Sequence, residues 1–106
     1  MSWTVVYHRA AAGELAIQPT EIRARLDNIV GLIASFGLER LPGKYARHLQ
    51  GPIWEFRLQG KDGIARALYV VRHGQRIFVV RIFTKKTQKT PRKEIELALA
   101  RAKEMS

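Results

Sequence analysis

A chain of 106 residues suits a single domain spanning residues 1–106, long enough to bury a core. With no cysteine it excludes a disulfide framework, a thiol nucleophile and a thiolate metal site. The formal charge of +10, from 19 Lys and Arg against 9 Asp and Glu, favours a nucleic acid over an acidic small molecule as partner.

Residues 3–8 read as an opening strand rich in aromatic and β-branched types, without the basic start and apolar run of a signal peptide. A cytoplasmic location is expected, and no stretch approaches the roughly 18 apolar residues of a membrane-spanning helix. Residues 10–16 favour a short helix that Gln18-Pro19 stops. From 19 to 36, Ile22, Leu26, Ile29, Val30, Ile33 and Phe36 recur at helical spacing, with Pro19 at the first helical position and Gly37 as the stop. The two segments form a helical hairpin.

Residues 38–52, which hold Pro42, Gly43, Gly51 and Pro52, read as a long connecting loop. The period then changes. Residues 53–59 alternate, with Trp54, Phe56 and Leu58 facing one way and Glu55, Arg57 and Gln59 the other. After a turn at 60–63, residues 64–72 and 76–84 follow as two more strands separated by His73-Gly74-Gln75, giving an antiparallel meander. Thr90 is expected as the N-cap of a last helix, with Pro91 in its first position and Ile95, Ala98, Leu99 and Ala102 as its buried stripe. The expected class is α+β.

The charge is uneven along the chain. Residues 1–52 hold 6 basic and 4 acidic groups, and residues 53–106 hold 13 and 5. Between Gly63 and Lys93 there are nine basic residues and no carboxylate, a positive field that nothing local cancels and that a phosphate backbone would answer. Arg57, Arg66 and Arg81 fall inside strands, where a guanidinium needs a partner; Glu55, Asp62 or a bound phosphate would serve. Lys85, Lys86, Lys89, Arg92 and Lys93 make either a solvated basic loop or, with Lys61 and Arg81, a nucleic-acid contact. His8, His48 and His73 are too scattered for a metal site, so neither metal nor cofactor is expected.

The order strand, helical hairpin, loop, meander, basic segment and terminal helix resembles the RelE/ParE toxin superfamily. The runs IWEFRLQGKDGIARALYVV from Ile53 and FTKKTQKTPRKEIELALAR from Phe83 are similar to its phage-derived, HigB-like branch. The resemblance implies a RelE-like fold and a toxin that cleaves mRNA in the ribosomal A site, held inactive by a cognate antitoxin of helix-turn-helix type. Operator DNA would then be met only through the antitoxin, and no membrane is involved. By position it implies Arg57, Arg66, Lys85 and Lys86 as catalytic, with Lys61 beside them on RNA; the basic residues Arg81, Lys89, Arg92 and Lys93 are expected to add RNA contacts through their charge. The related ParE branch inhibits DNA gyrase instead, and a non-catalytic basic binding module is a third possibility. Some relatives carry a Tyr or His near the C-terminal end, whereas here the last are Tyr69 and His73, which leaves the general acid and base unassigned. Glu55, on one face with Arg57, is either a base or half of an ion pair.

Overall fold

The computed structural model describes residues 2–61, 63–85 and 88–105. Among these residues five strands form one sheet in the order β1-β5-β4-β3-β2: β1 (Thr4–Tyr7), β2 (Ala46–Gln50), β3 (Ile53–Gln59), β4 (Ile64–Arg72) and β5 (Arg76–Lys85). The meander β3-β4-β5 is antiparallel as expected, and β1 adds parallel to β5. Among the described residues the α-helices are α1 (Arg9–Ala16), α2 (Thr20–Phe36) and α3 (Arg92–Lys103).

The sheet is covered on both faces. The α2 stripe of Ile22, Leu26, Ile29 and Ile33 packs on Phe56, Leu58, Ala67 and Tyr69, with Phe56 and Tyr69 stacked 3.9 Å apart. On the other face Ile95, Ala98 and Ala102 of α3 meet Ile53, Leu68, Val70 and Phe78. Gly37 closes α2 at φ 89°, a backbone conformation that a Cβ would strain. Phe36, expected in the stripe, is 63% exposed because the helix ends there.

Four local expectations are corrected. The segment 38–52 holds two single-turn 3-10 helices (Leu38–Arg40 and Gly43–Tyr45) and the edge strand β2, which its Ala-Arg-His-Leu-Gln sequence does not announce by propensity. Trp54, grouped by its alternation with Phe56 and Leu58, does not share their burial: it is 39% exposed and meets His48 of β2 edge-on. Pro19 and Pro91 sit at the N-cap rather than in the first turn. Thr90 is therefore no cap, and its hydroxyl instead donates to Glu55 at 2.8 Å.

Both sheet edges run past their outer strand, and side chains take over the exposed backbone. β1 reaches only Val79, so Glu14 of α1 accepts from the Ile82 N–H at 3.0 Å and Arg101 donates to the Val80 carbonyl at 3.0 Å. β2 reaches only Phe56, and Arg25 of α2 donates to the Gln59 carbonyl at 3.1 Å. Among the described residues no helix is long and apolar enough to cross a membrane.

Candidate functional site

A β-bulge decides which cations share a face. Tyr69 lies opposite Val79 but Leu68 lies opposite Arg81, so Val80 is an extra residue in β5. Side-chain parity flips there: Ile77, Val79 and Ile82 face α2, while Phe78, Val80 and Phe83 face α3. Beyond the bulge, Arg81 and Lys85 join Phe83 on the α3 side, where Arg66 stands opposite Phe83 and Arg57 opposite Arg66. Helix α3 does not reach the far end of this face, and Arg57, Gln59 and Ile64 are exposed there.

At the centre is Glu55, with no solvent exposure. Its Oε1 accepts from Arg66 Nε at 3.1 Å and from Arg47 at 3.3 Å, and its Oε2 accepts from Thr90 Oγ1 at 2.8 Å. One carboxylate thereby ties β2, β4 and the segment leading into α3. Arg66, only 4% exposed, also donates to the Ala65 carbonyl at 3.3 Å, so its guanidinium is held by its strand neighbours. Burial lowers the Arg66 pKa, Glu55 opposes this, and Arg57 and Arg47 add to it, yet a guanidinium stays charged. Lys85 is pushed below the ordinary lysine range first by desolvation and then by Arg66, against the pull of Glu55. Four cations thus crowd one buried carboxylate, an excess of positive charge suited to an incoming phosphate.

A cleft of about 570 Å³ opens beside this cluster, running from Arg57, Lys61 and Arg66 to Arg25, Lys44 and Tyr45. It exists because β2 stops at Ala46, opposite Phe56, which leaves the last residues of β3 with no outer strand.

The structure thus brings Arg57, Arg66 and Lys85 together, with the exposed Lys61 near them on the cleft. Arg81 is engaged elsewhere. Its Nε and one terminal nitrogen grip the Glu94 carboxylate at 2.7 and 3.2 Å, its other terminal nitrogen reaches Glu14 at 2.5 Å, and Arg101 meets the same Glu14 at 2.8 Å. Burial alone would raise the Glu14 carboxyl, but bonds from Arg101, the Ile82 N–H and Arg81 outweigh it and hold Glu14 below the usual carboxylate range. Arg92 pairs with Glu96 at 3.3 Å on the exposed side of α3, and Lys89 and Lys93 are exposed. Lys86, expected in the site, and Asp62, weighed as a partner for Arg66, lie outside the described residues.

Sequence reasoning missed Arg47, hidden in an apparent loop, and the share of Arg25, Lys44 and Tyr45 in the cleft. No local pattern signals these. Tyr69 is 2% exposed on the α2 side, with its phenol pushed up by burial, so it stands apart from the cationic face. His73 sits on the β4–β5 turn at the opposite end of the sheet. Among the described residues no three His, Cys, Asp or Glu side chains are placed to hold a metal ion.

Comparison with known proteins agrees with this architecture. Residues 13–103 match the family model of phage-derived Gp49-like proteins. A solved structure of a double-arginine mutant of the Escherichia coli toxin RelE, in the free state, superposes with a TM-score of 0.68 at 15% identity, covering 95% of this chain and 98% of that one. At that identity the likeness is one of fold. No curated protein matches the chain.

Proposed function

Because the chain belongs to the Gp49-like family of phage-derived proteins, a RelE-type family of toxin–antitoxin toxins, we propose that it is a toxin that cleaves mRNA on the bacterial ribosome. The observation that carries the reading is the meeting of Arg57, Arg66 and Lys85 at the uncovered end of the α3 face, beside an open cleft.

In this proposal the ribose 2′-hydroxyl attacks the adjacent phosphate and charge builds on the phosphorane oxygens. Arg57 and Lys85 meet those oxygens from the exposed side, and Lys86 is assigned to the same task by its sequence position alone; Arg66, fixed by Glu55, adds a charge from beneath that needs no reorganisation during the reaction. Arg66 is therefore a floor to the site rather than a freely reaching fork. The bond between the phosphorus and the 5′-oxygen breaks, leaving a 2′,3′-cyclic phosphate and a 5′-hydroxyl. Lys61, Lys89 and Lys93 widen the positive field for the RNA backbone. Arg81, already neutralised by two carboxylates, is assigned to holding α1, β5 and α3 together. The working location is the cytoplasm, where ribosomes are, and the cognate antitoxin is expected to be a small helix-turn-helix protein that covers the basic face.

The test is induction in bacteria with mapping of RNA ends. The expected result is rapid translation arrest with cut messages; a DNA-damage response with intact messages would overturn the reading in favour of a gyrase-directed toxin. In vitro, a short RNA should be cut in the presence of EDTA, and replacing the scissile 2′-hydroxyl by hydrogen should stop the cut.

A further inference from the structure

The cleft extends well beyond the groups that the reaction needs. Its volume of about 570 Å³ lies in the range of small-molecule sites, several times what one phosphate fills. Its far wall has its own chemistry. Tyr45, half-buried and backed by the α2-side core, presents an aromatic ring, and exposed Asn28 of α2 offers an amide with both donors and an acceptor. Arg25 and Lys44 add two cations, Arg25 being fixed by its bond to the Gln59 carbonyl.

An aromatic, an amide and two cations around one recess form the set that takes a base and its phosphate together. Lys44 now rests with its ammonium 5.2 Å from the Tyr45 ring centroid, the place a stacking base would occupy. As an exposed side chain it swings aside at small cost and leaves that face open to a base.

We propose that Tyr45, Asn28, Arg25 and Lys44 form a nucleotide subsite that binds the residue flanking the scissile phosphate, the base on Tyr45 and Asn28 and the backbone on Arg25 and Lys44. The inference rests on the ribonuclease reading and deepens it: the subsite sets which message positions are cut, whereas Arg57 and Lys85 set how fast. The alternation between Lys44 and a base over one ring couples the occupancy of the subsite to backbone capture.

The test uses a short RNA made uncleavable by a single 2′-deoxy nucleotide, together with versions in which an abasic spacer replaces either flanking base. Wild-type protein should lose about tenfold in affinity for one of the two abasic RNAs, the scale of one stacking contact. Tyr45→Leu, which keeps an apolar side chain against the core, should bind the intact RNA about tenfold more weakly and be indifferent to that spacer. Asn28→Ala, on an exposed helix position, should lower affinity and flatten the preference among the four bases there without touching the core. Cleavage of saturating ribose substrate by either variant should stay within about threefold of wild type. If the losses from Tyr45→Leu and from the spacer multiply instead of overlapping, or if neither spacer weakens wild-type binding, the subsite is absent even though cleavage persists. If wild-type protein neither binds the short RNA nor cuts messages on added ribosomes, both this inference and the ribonuclease reading fall.

Discussion

Glu55 Oε1 accepts from Arg66 Nε at 3.1 Å with neither side chain more than 4% exposed, so the most central cation of the site is also half of a buried ion pair. Removing one member of such a pair strands the other in a medium that cannot solvate it. Deleting Arg66 therefore cannot separate the activity proposed for it from its part in stability.

Arg66→Ala should abolish toxicity and also lower the unfolding free energy by about 3 kcal/mol or more, because Glu55 stays buried with less charge around it. Arg57→Ala, at an exposed position, should abolish toxicity with a stability change within about 0.5 kcal/mol. Urea unfolding beside a growth assay at matched expression checks both. An Arg57→Ala protein that stays fully toxic would remove that residue from the site.

Thr90→Val should cost about 1–2 kcal/mol, since it takes the hydroxyl donor from a fully buried carboxylate oxygen. Toxicity should fall as well, because the same bond ties the segment before α3 to the sheet beside Lys85. A Thr90→Ser protein keeps the donor and should behave as wild type in both measurements.

Glu14 predicts an acid limb in the stability curve. Its carboxyl is held below the ordinary value of 4.5, so its contribution is complete above that value and is lost as pH falls through the lower folded value. Thermal melts should therefore drop as pH is lowered below about 4.5, and Glu14→Gln should start less stable and show a shallower drop. Parallel acid limbs for the two proteins would show that Glu14 does not titrate in this way.

Lys85 predicts the opposite limb. Its ammonium is disfavoured by desolvation and by Arg66, so it loses its proton below the ordinary lysine value of 10.5. Below its folded value the charged form costs stability, and that cost is relieved as pH rises through it. Affinity for a short RNA should accordingly begin to fall at a pH below 10.5, and Lys85→Arg should retain affinity into that range. Titration of binding by fluorescence anisotropy measures the difference.

A last prediction concerns the antitoxin. If an acidic segment covers the cationic face, the purified complex should dissociate faster as salt is raised, with the main change in a buffer range where the Debye length falls from about 10 to 3 Å. A dissociation rate indifferent to salt would place the contact on apolar surface away from Arg57 and Lys85.

Much of this was legible in the chain itself. The α2 stripe and the strands at 53–59, 64–72 and 76–84 were readable because side-chain period is a local property that a few neighbouring residues express. The placement of Arg57 and Arg66 on strands followed from the same reading, the basic second half from a count of charges, and the segment from Phe83 separately resembles the family whose model matches the chain.

What the tertiary structure decided depends on residues far apart in sequence. Strand β2 forms because β3 offers it an edge, although its own residues have little strand preference. The unpaired Val80 flips the parity of β5, and only that flip sets Lys85 on the face of Arg66; simple alternation from Phe78 would have sent it to the α2 side. Arg81 and Glu14, 67 positions apart, find each other because α1 replaces β1 along the sheet edge. Charge and periodicity are properties of the chain, but which charges are cancelled and which are left facing a cleft is a property of its packing.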